Sequence, residues 1–325
     1  MPPTSKSIRR AARVARAFSR AAARVTWARL RAGPLQPAWS WSYQVVVDAM
    51  RASFHGPEAP LAAARARLDA LGRRGRAGRG LRWRRVEVAG VPCEWIEPEA
   101  PADGVLVYLH GGGFALGSTD SHAPLLADLA RTCGRRVLSV EYRRAPEHPC
   151  PAAIDDVVAV WSALGDGPRA LAGDSAGGSL ALATALALRD RGLPAPDRLV
   201  LLSPWIDLAV TGDSVDRYEQ IDYLGTRRTL RAFARHYLGD RPPEDPVASP
   251  LYADLRDLPP TLVIAGGAEV LLDDSLRLVE RARAAGARVR LHVEPGEVHV
   301  YPMFGRLTRA AEQALRDIRG FLTTG

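Results

Sequence analysis

One serine of the chain sits between glycines in a pattern that makes a nucleophile. The strand-like run RALAG leads into Asp174-Ser175-Ala176-Gly177-Gly178 and then a helix-like segment, so Ser175 is the centre of a GxSxG on a strand-to-helix turn. Such a turn holds the serine in a strained backbone conformation and pushes its hydroxyl into the open, and only glycine fits where main chain crowds it. The free N–H groups and dipole of the following helix favour negative charge on a nearby oxygen. Upstream, His110-Gly111-Gly112-Gly113-Phe114 follows the run VLVYLH. Consecutive glycines let backbone N–H groups approach an oxyanion, as acyl transfer requires. A phosphate loop is the alternative, although no GKS, GKT or GxGxxG accompanies these glycines. His110 reads as structural, fixing the loop. A serine hydroxyl also needs a base. His299 lies in the loop GEVHV after the run VRLHVEP, at the edge where open parallel sheets gather their sites. His292 falls inside that run, and His55, His122, His148 and His236 have no comparable position.

These groups need a scaffold, and from Leu81 onward the pattern supplies one. RWRRVEV, an Ala89-Gly90 turn and VPCEWIEP predict a β-hairpin. Strand-like runs then alternate with helix-length segments, with helices expected near 123–131, 151–164, 176–189, 275–285 and 308–322. This βαβ series predicts an α/β fold: a mostly parallel sheet of about eight strands with helices on both faces. Residues 204–250 break the rhythm as a helix-containing insertion, a candidate lid over the strand ends. The expected division is a helical cap and Arg/Gly linker at 1–75, followed by a catalytic domain at 76–325 that carries the insertion.

Composition narrows the classes. With 325 residues, 47% apolar and 25% charged, the chain is globular and long enough to bury a core unaided. Cys93, Cys133 and Cys150 form no CxxC, so neither a disulfide framework nor a zinc knuckle is expected. No apolar run approaches the roughly 18 residues of a spanning helix. The net charge of +8 is local: residues 1–31 hold nine Lys or Arg and no acid, 72–85 hold seven Arg, and the remainder is net −8. That distribution argues against a nucleic-acid partner. Arg9, Arg13, Arg16, Arg20 and Arg24, spaced three and four apart, mark a basic amphipathic helix with Val14, Phe18 and Val25 on another face. It covers the main domain, lies on an anionic membrane surface or imitates an organellar transit peptide. GRRGRAGRG reads as a mobile, solvated linker. The expectation is a cytoplasmic protein, with membrane association and a homodimer left open.

The motifs together resemble the hormone-sensitive lipase group of α/β-hydrolases. The matching segments are HGGGF at 110–114, EYRRAPEHPCPAAIDD at 141–156, GDSAGG at 173–178, SPWIDL at 203–208, EVLLDD at 269–274 and HVYPMF at 299–304, while the first 80 residues match loosely. The resemblance implies a serine carboxylesterase acting on a small-molecule ester, with an oxyanion hole among Gly111, Gly112, Gly113 and Ala176 and neither cofactor nor metal. EYRRAPEHPC is implied to brace the elbow and oxyanion loop. The family's commoner DPLxDE is replaced here, and against it Glu269 takes the position of the triad acid, with Asp273 the second candidate. The expected activity is hydrolysis of short-chain acyl or aryl esters by Ser175, Glu269 and His299. A non-catalytic receptor and a specialised deacetylase or lyase of a biosynthetic pathway are the alternatives. Trp39, Trp41, Tyr43, Trp205 and Tyr218 either line an apolar pocket or pack the cap onto the domain.

Overall fold

Alternation along the central strands decides the layering. In VLVYL, Leu106 and Tyr108 join one apolar cluster while Val107 and Leu109 join another, as the two-residue period of an extended chain requires. Both faces of such a strand are apolar, so both must be covered. The computed structural model describes residues 5–54, 60–77, 80–165 and 167–323; His55 lies outside them.

The sheet comprises β1 (Leu81–Val88), β2 (Val91–Pro98), β3 (Ala102–Leu109), β4 (Arg135–Val140), β5 (Arg169–Asp174), β6 (Arg198–Leu202), β7 (Thr261–Gly266) and β8 (Val289–Glu294). Their spatial order is β1-β2-β4-β3-β5-β6-β7-β8. β2 pairs antiparallel with β1 and β4, and every other pairing is parallel. The α/β-hydrolase fold follows, with the expected hairpin at one edge.

In chain order the helices are α1 (Ser5–Ala32), α2 (Trp41–Phe54), α3 (Leu61–Gly72), α4 (Thr119–Cys133), α5 (Ala152–Ala163), α6 (Ala176–Asp190), α7 (Ser214–Tyr218), α8 (Arg227–Leu238), α9 (Leu272–Ala284) and α10 (Arg309–Thr323). α5, α6 and α9 close one face of the sheet, with residues of α8 in the same apolar cluster, and α4 and α10 close the other, whose cluster includes residues of α2. Each fully buried Leu or Val contributes on the order of 1.5–3 kcal/mol. α4 begins four residues before the expected start because Ser118 caps it: its hydroxyl accepts the N–H of Ser121, whose own hydroxyl accepts the N–H of Ser118. Gly134, at φ 65°, ends it.

The Arg/Gly segment is a correction to the sequence reading. Arg73–Ala77 form a short 3-10 helix packed on α4, not a solvated linker. Gly72 and Gly75 are there for contact: a Cβ would lie 2.2 Å from the Asp120 carbonyl oxygen and 2.3 Å from the Pro124 nitrogen, respectively. Arg73 pairs with Asp120, and Arg76 with both Asp120 and buried Glu94.

Candidate active site

The turn after β5 is as tight as its glycines suggest. Ser175 has φ 53° and ψ −122°, a conformation an L-residue holds only under constraint. Its N–H donates to the Leu202 carbonyl at 2.8 Å, tying the elbow to β6. A Cβ on Gly173 would sit 2.2 Å from the Gly177 oxygen, and one on Gly177 would sit 2.1 Å from the Leu109 oxygen. Neither position admits another residue without moving backbone. α6 starts at Ala176, so its first N–H groups surround the serine.

The glycine loop after β3 faces this elbow and is braced from several sides. Gly112 has φ 124°, and a Cβ there would meet the Leu116 carbonyl carbon at 2.5 Å. A Cβ on Gly113 would come within 2.8 Å of the Phe233 ring, which α8 brings over the loop. Tyr142 donates to the His110 carbonyl at 2.6 Å and stacks on its ring at 4.3 Å. The Ala145 N–H reaches the Phe114 carbonyl at 3.0 Å. Arg65 of α3 straps the same region, donating to the carbonyls of Ala115 and Ala145 while pairing with Glu147. The segment after β4 thus touches the oxyanion loop, as its resemblance to the family implied.

Gly111 differs from the expectation. Its N–H is spent on Asp174 Oδ1 at 2.9 Å and lies 3.3 Å from His122 Nε2, so it anchors the loop and is turned away from any oxyanion. The N–H groups of Gly112 and Gly113 have no such partner among the described residues. His122, dismissed from sequence as lacking a position, is buried under this loop within 3.3 Å of Asp174. Burial disfavours its charged ring, yet the Asp174 carboxylate outweighs that and raises it above the ordinary histidine value. Burial pushes His110 down to about 4, partly opposed by the Glu141 carboxylate.

Acid and base come from the next two strand ends. Glu269, just past β7, is fully buried, and its Oε2 accepts the Ser203 hydroxyl at 2.6 Å and the Gly266 N–H at 3.0 Å. The same oxygen lies 3.9 Å from Nδ1 of His299, which follows β8. Among the described residues neither ring nitrogen of His299 has a hydrogen-bond partner, so both remain open. Burial pushes His299 down to about 4, partly opposed by the Asp174 carboxylate at the elbow. Burial pushes Glu269 well up, opposed by the Ser203 hydrogen bond. Asp273 is elsewhere: its Oδ2 accepts the N–H of Ser214 at the start of α7. Asp274 accepts the N–H groups of Ile206 and Asp207, each at 2.9 Å.

Two residues that sequence reasoning passed over join these loops. Ser203, at φ 47°, donates to Glu269 while accepting the Val300 N–H at 2.9 Å. Asp222, in the insertion, accepts the N–H groups of Val270 and His299. SPWIDL flagged the first, whereas no local pattern marks Asp222. His292 is half-buried between Glu294 and Asp317, away from this group. Of the five aromatics, Trp39 and Tyr43 pack the N-terminal segment onto the loop after β8: Trp39 donates to the Gly296 carbonyl at 2.9 Å and Tyr43 to Glu297. Trp205 is buried with its N–H on the Asp207 carbonyl, Trp41 faces outward, and Tyr218 sits half-buried on α7.

Known proteins carry the same arrangement of chain. A family model described as alpha/beta hydrolase fold matches residues 106–303. An esterase of Acinetobacter venetianus is 39% identical over 294 residues, covering 87% of this chain and 97% of that one. An acetyl-hydrolase of Streptomyces hygroscopicus is 40% identical over 244 residues, covering 74% and 82%. A solved esterase from the bacterial hormone-sensitive lipase family superposes with a TM-score of 0.84 at 40% identity, covering 88% of this chain and 98% of that one.

Proposed function

Since the chain belongs to the bacterial hormone-sensitive lipase family of α/β-hydrolases and is a carboxylic ester hydrolase, we propose that it cleaves short-chain acyl or aryl esters through Ser175, His299 and Glu269. Ser175 Oγ attacks the ester carbonyl carbon as its proton passes to Nε2 of His299. The imidazolium so formed is stabilised by the Glu269 carboxylate at Nδ1, and the 3.9 Å gap between them is of the kind that closes when substrate arrives. The oxyanion of the tetrahedral intermediate is held by the N–H groups of Gly112, Gly113 and Ala176, at the positive end of α6. Collapse breaks the ester bond, and His299 returns the proton to the leaving alkoxide. Water repeats the sequence on the acyl-enzyme, its proton passing through His299 back to Ser175.

The observation that carries this reading is the placement of buried Glu269 beside His299, at the strand edge that also bears the strained serine. The Phe233 ring stands against Gly113 of the oxyanion loop, and a bulky ring at that position suits short acyl groups. Relatives named an esterase and an acetyl-hydrolase point the same way. The test is a p-nitrophenyl ester series from two to twelve acyl carbons, with wild type and Ser175→Ala in parallel. The reading requires activity on the shortest chains that falls by at least about 10⁴ in the variant. Equal activity in Ser175→Ala, or a preference for the longest chain, would sink it.

A further inference from the structure

The outer face of the α1–α2 pair takes no part in the chemistry above. Ala21 and Val25 of α1 are buried against Val45 and Ala49 of α2. Arg24 binds Asp48, and Arg29 binds Gln44. These contacts fix which side of α1 points inward, and the opposite side is neither polar nor neutral. There Trp27 is 58% exposed, Leu30 83% and, from α2, Trp41 47%.

The three side chains form one patch. Trp41 donates its indole N–H to Thr26 at 3.0 Å, and Leu30 follows Thr26 and Trp27 by four and three residues on the same side of the helix. The Arg31 guanidinium lies 3.7 Å above the Trp27 ring. Arg20 and Arg16 continue the Trp27 stripe toward the N-terminus, seven and eleven residues before it. Residues 1–31 contain no acid, whereas the chain outside them and outside 72–85 is net −8. Indole and leucine rimmed by arginines match a surface that is apolar beneath and anionic above. A two-fold dimer through this face would set arginines against arginines. Among the described residues no helix is long and apolar enough to cross a membrane.

We propose that this face docks the enzyme on an anionic phospholipid bilayer, with Trp27, Leu30 and Trp41 at the acyl boundary and Arg20 and Arg31 against headgroups. The docked cap is tied to the catalytic loop, since Trp39 and Tyr43 hold Gly296 and Glu297 just before His299. Docking therefore sets the orientation of the site relative to the membrane.

The test uses the full chain and co-sedimentation with phosphatidylcholine vesicles, with or without phosphatidylglycerol. Binding is expected only with phosphatidylglycerol and weakens with salt. Arg20→Gln with Arg31→Gln lowers it roughly 25-fold, about fivefold per charge. Trp27→Ala with Leu30→Ser lowers it at least about tenfold. Neither pair alters hydrolysis of a soluble ester, which also reports that both variants fold. Equal binding without phosphatidylglycerol, or binding that survives both double variants, overturns the proposal. So does a dimer in solution that Trp27→Ala with Leu30→Ser dissolves, because a second copy would then own the face.

Discussion

Asp222 holds the backbone of His299: its Oδ1 accepts the His299 N–H at 3.3 Å while its Oδ2 accepts the Val270 N–H at 2.9 Å. The neighbouring Tyr223 hydroxyl donates to the His299 carbonyl at 2.9 Å. Two residues of the insertion thereby set the spacing between the loop of the acid and the loop of the base. Asp222→Asn keeps the shape but turns an amide N–H2 toward one of these donors. A displacement on the order of 1 Å costs about 10²-fold in turnover. Steady-state kinetics on p-nitrophenyl acetate should show kcat down by that order with KM within about twofold; an unchanged kcat would mean the loops hold themselves.

Glu269 and Asp273 separate by amide exchange. Glu269→Gln should lower kcat by about 10⁴, because the imidazole loses its orienting charge. Asp273 serves the N–H of Ser214, so Asp273→Asn should leave kcat within about threefold. The reverse pattern would move the acid to Asp273.

Gly112 has no room for a methyl group against the Leu116 carbonyl, and its φ of 124° is foreign to L-residues. Gly112→Ala should displace the oxyanion donors and cost about 10²–10³ in kcat. A protein with normal circular dichroism and full activity would show that the loop adapts.

The acid limb of kcat/KM should include one step from Asp222 and one from His299. Both His299 and Asp222 work deprotonated, so each loses its role as pH falls through its own value. Burial raises Asp222 to about 6, and a proton there turns one acceptor into a donor facing an N–H. Burial lowers His299 to about 4, so the neutral base persists below the ordinary 6.5. A partial fall near pH 6 followed by loss near pH 4 is expected, and Asp222→Asn should abolish the first step alone. A single step at 6.5 contradicts both assignments.

Arg76 is the counter-charge of buried Glu94, at 2.6 Å, and also pairs with Asp120. Arg76→Ala strands that carboxylate and should cost about 3 kcal/mol, read as a lower urea midpoint at constant m. A loss under about 0.5 kcal/mol would mean that water replaces the guanidinium.

The succession of strands along the chain, the elbow, the glycine loop and the placement of a histidine after the last strand were all legible in the sequence, because each depends on neighbours within a few residues, whereas the spatial order of the strands does not. Gly173 and Gly177 are required by contacts with the elbow and with the end of β3, and their spacing alone announces the turn. The Arg/Gly stretch was misread because composition reports solvation and flexibility, whereas Gly72 and Gly75 are small in order to touch α4. Gly111 was grouped with its neighbours because nothing local reveals that its N–H belongs to Asp174, 63 residues away.

What the sequence determined by itself was the chemistry available: a serine on a strained turn, a run of glycines, a late histidine and a choice of acids. The tertiary structure decided how these are joined. Glu269 reaches His299 because β7 and β8 run parallel and end at the same edge, while Asp273, four residues on, has been rotated toward α7 by the first turn of α9. Ser203 and Asp222 join the acid and base loops from 97 and 77 residues away. Hydrogen bonds across such separations follow from the packing of whole layers, and no period or motif in the chain encodes them.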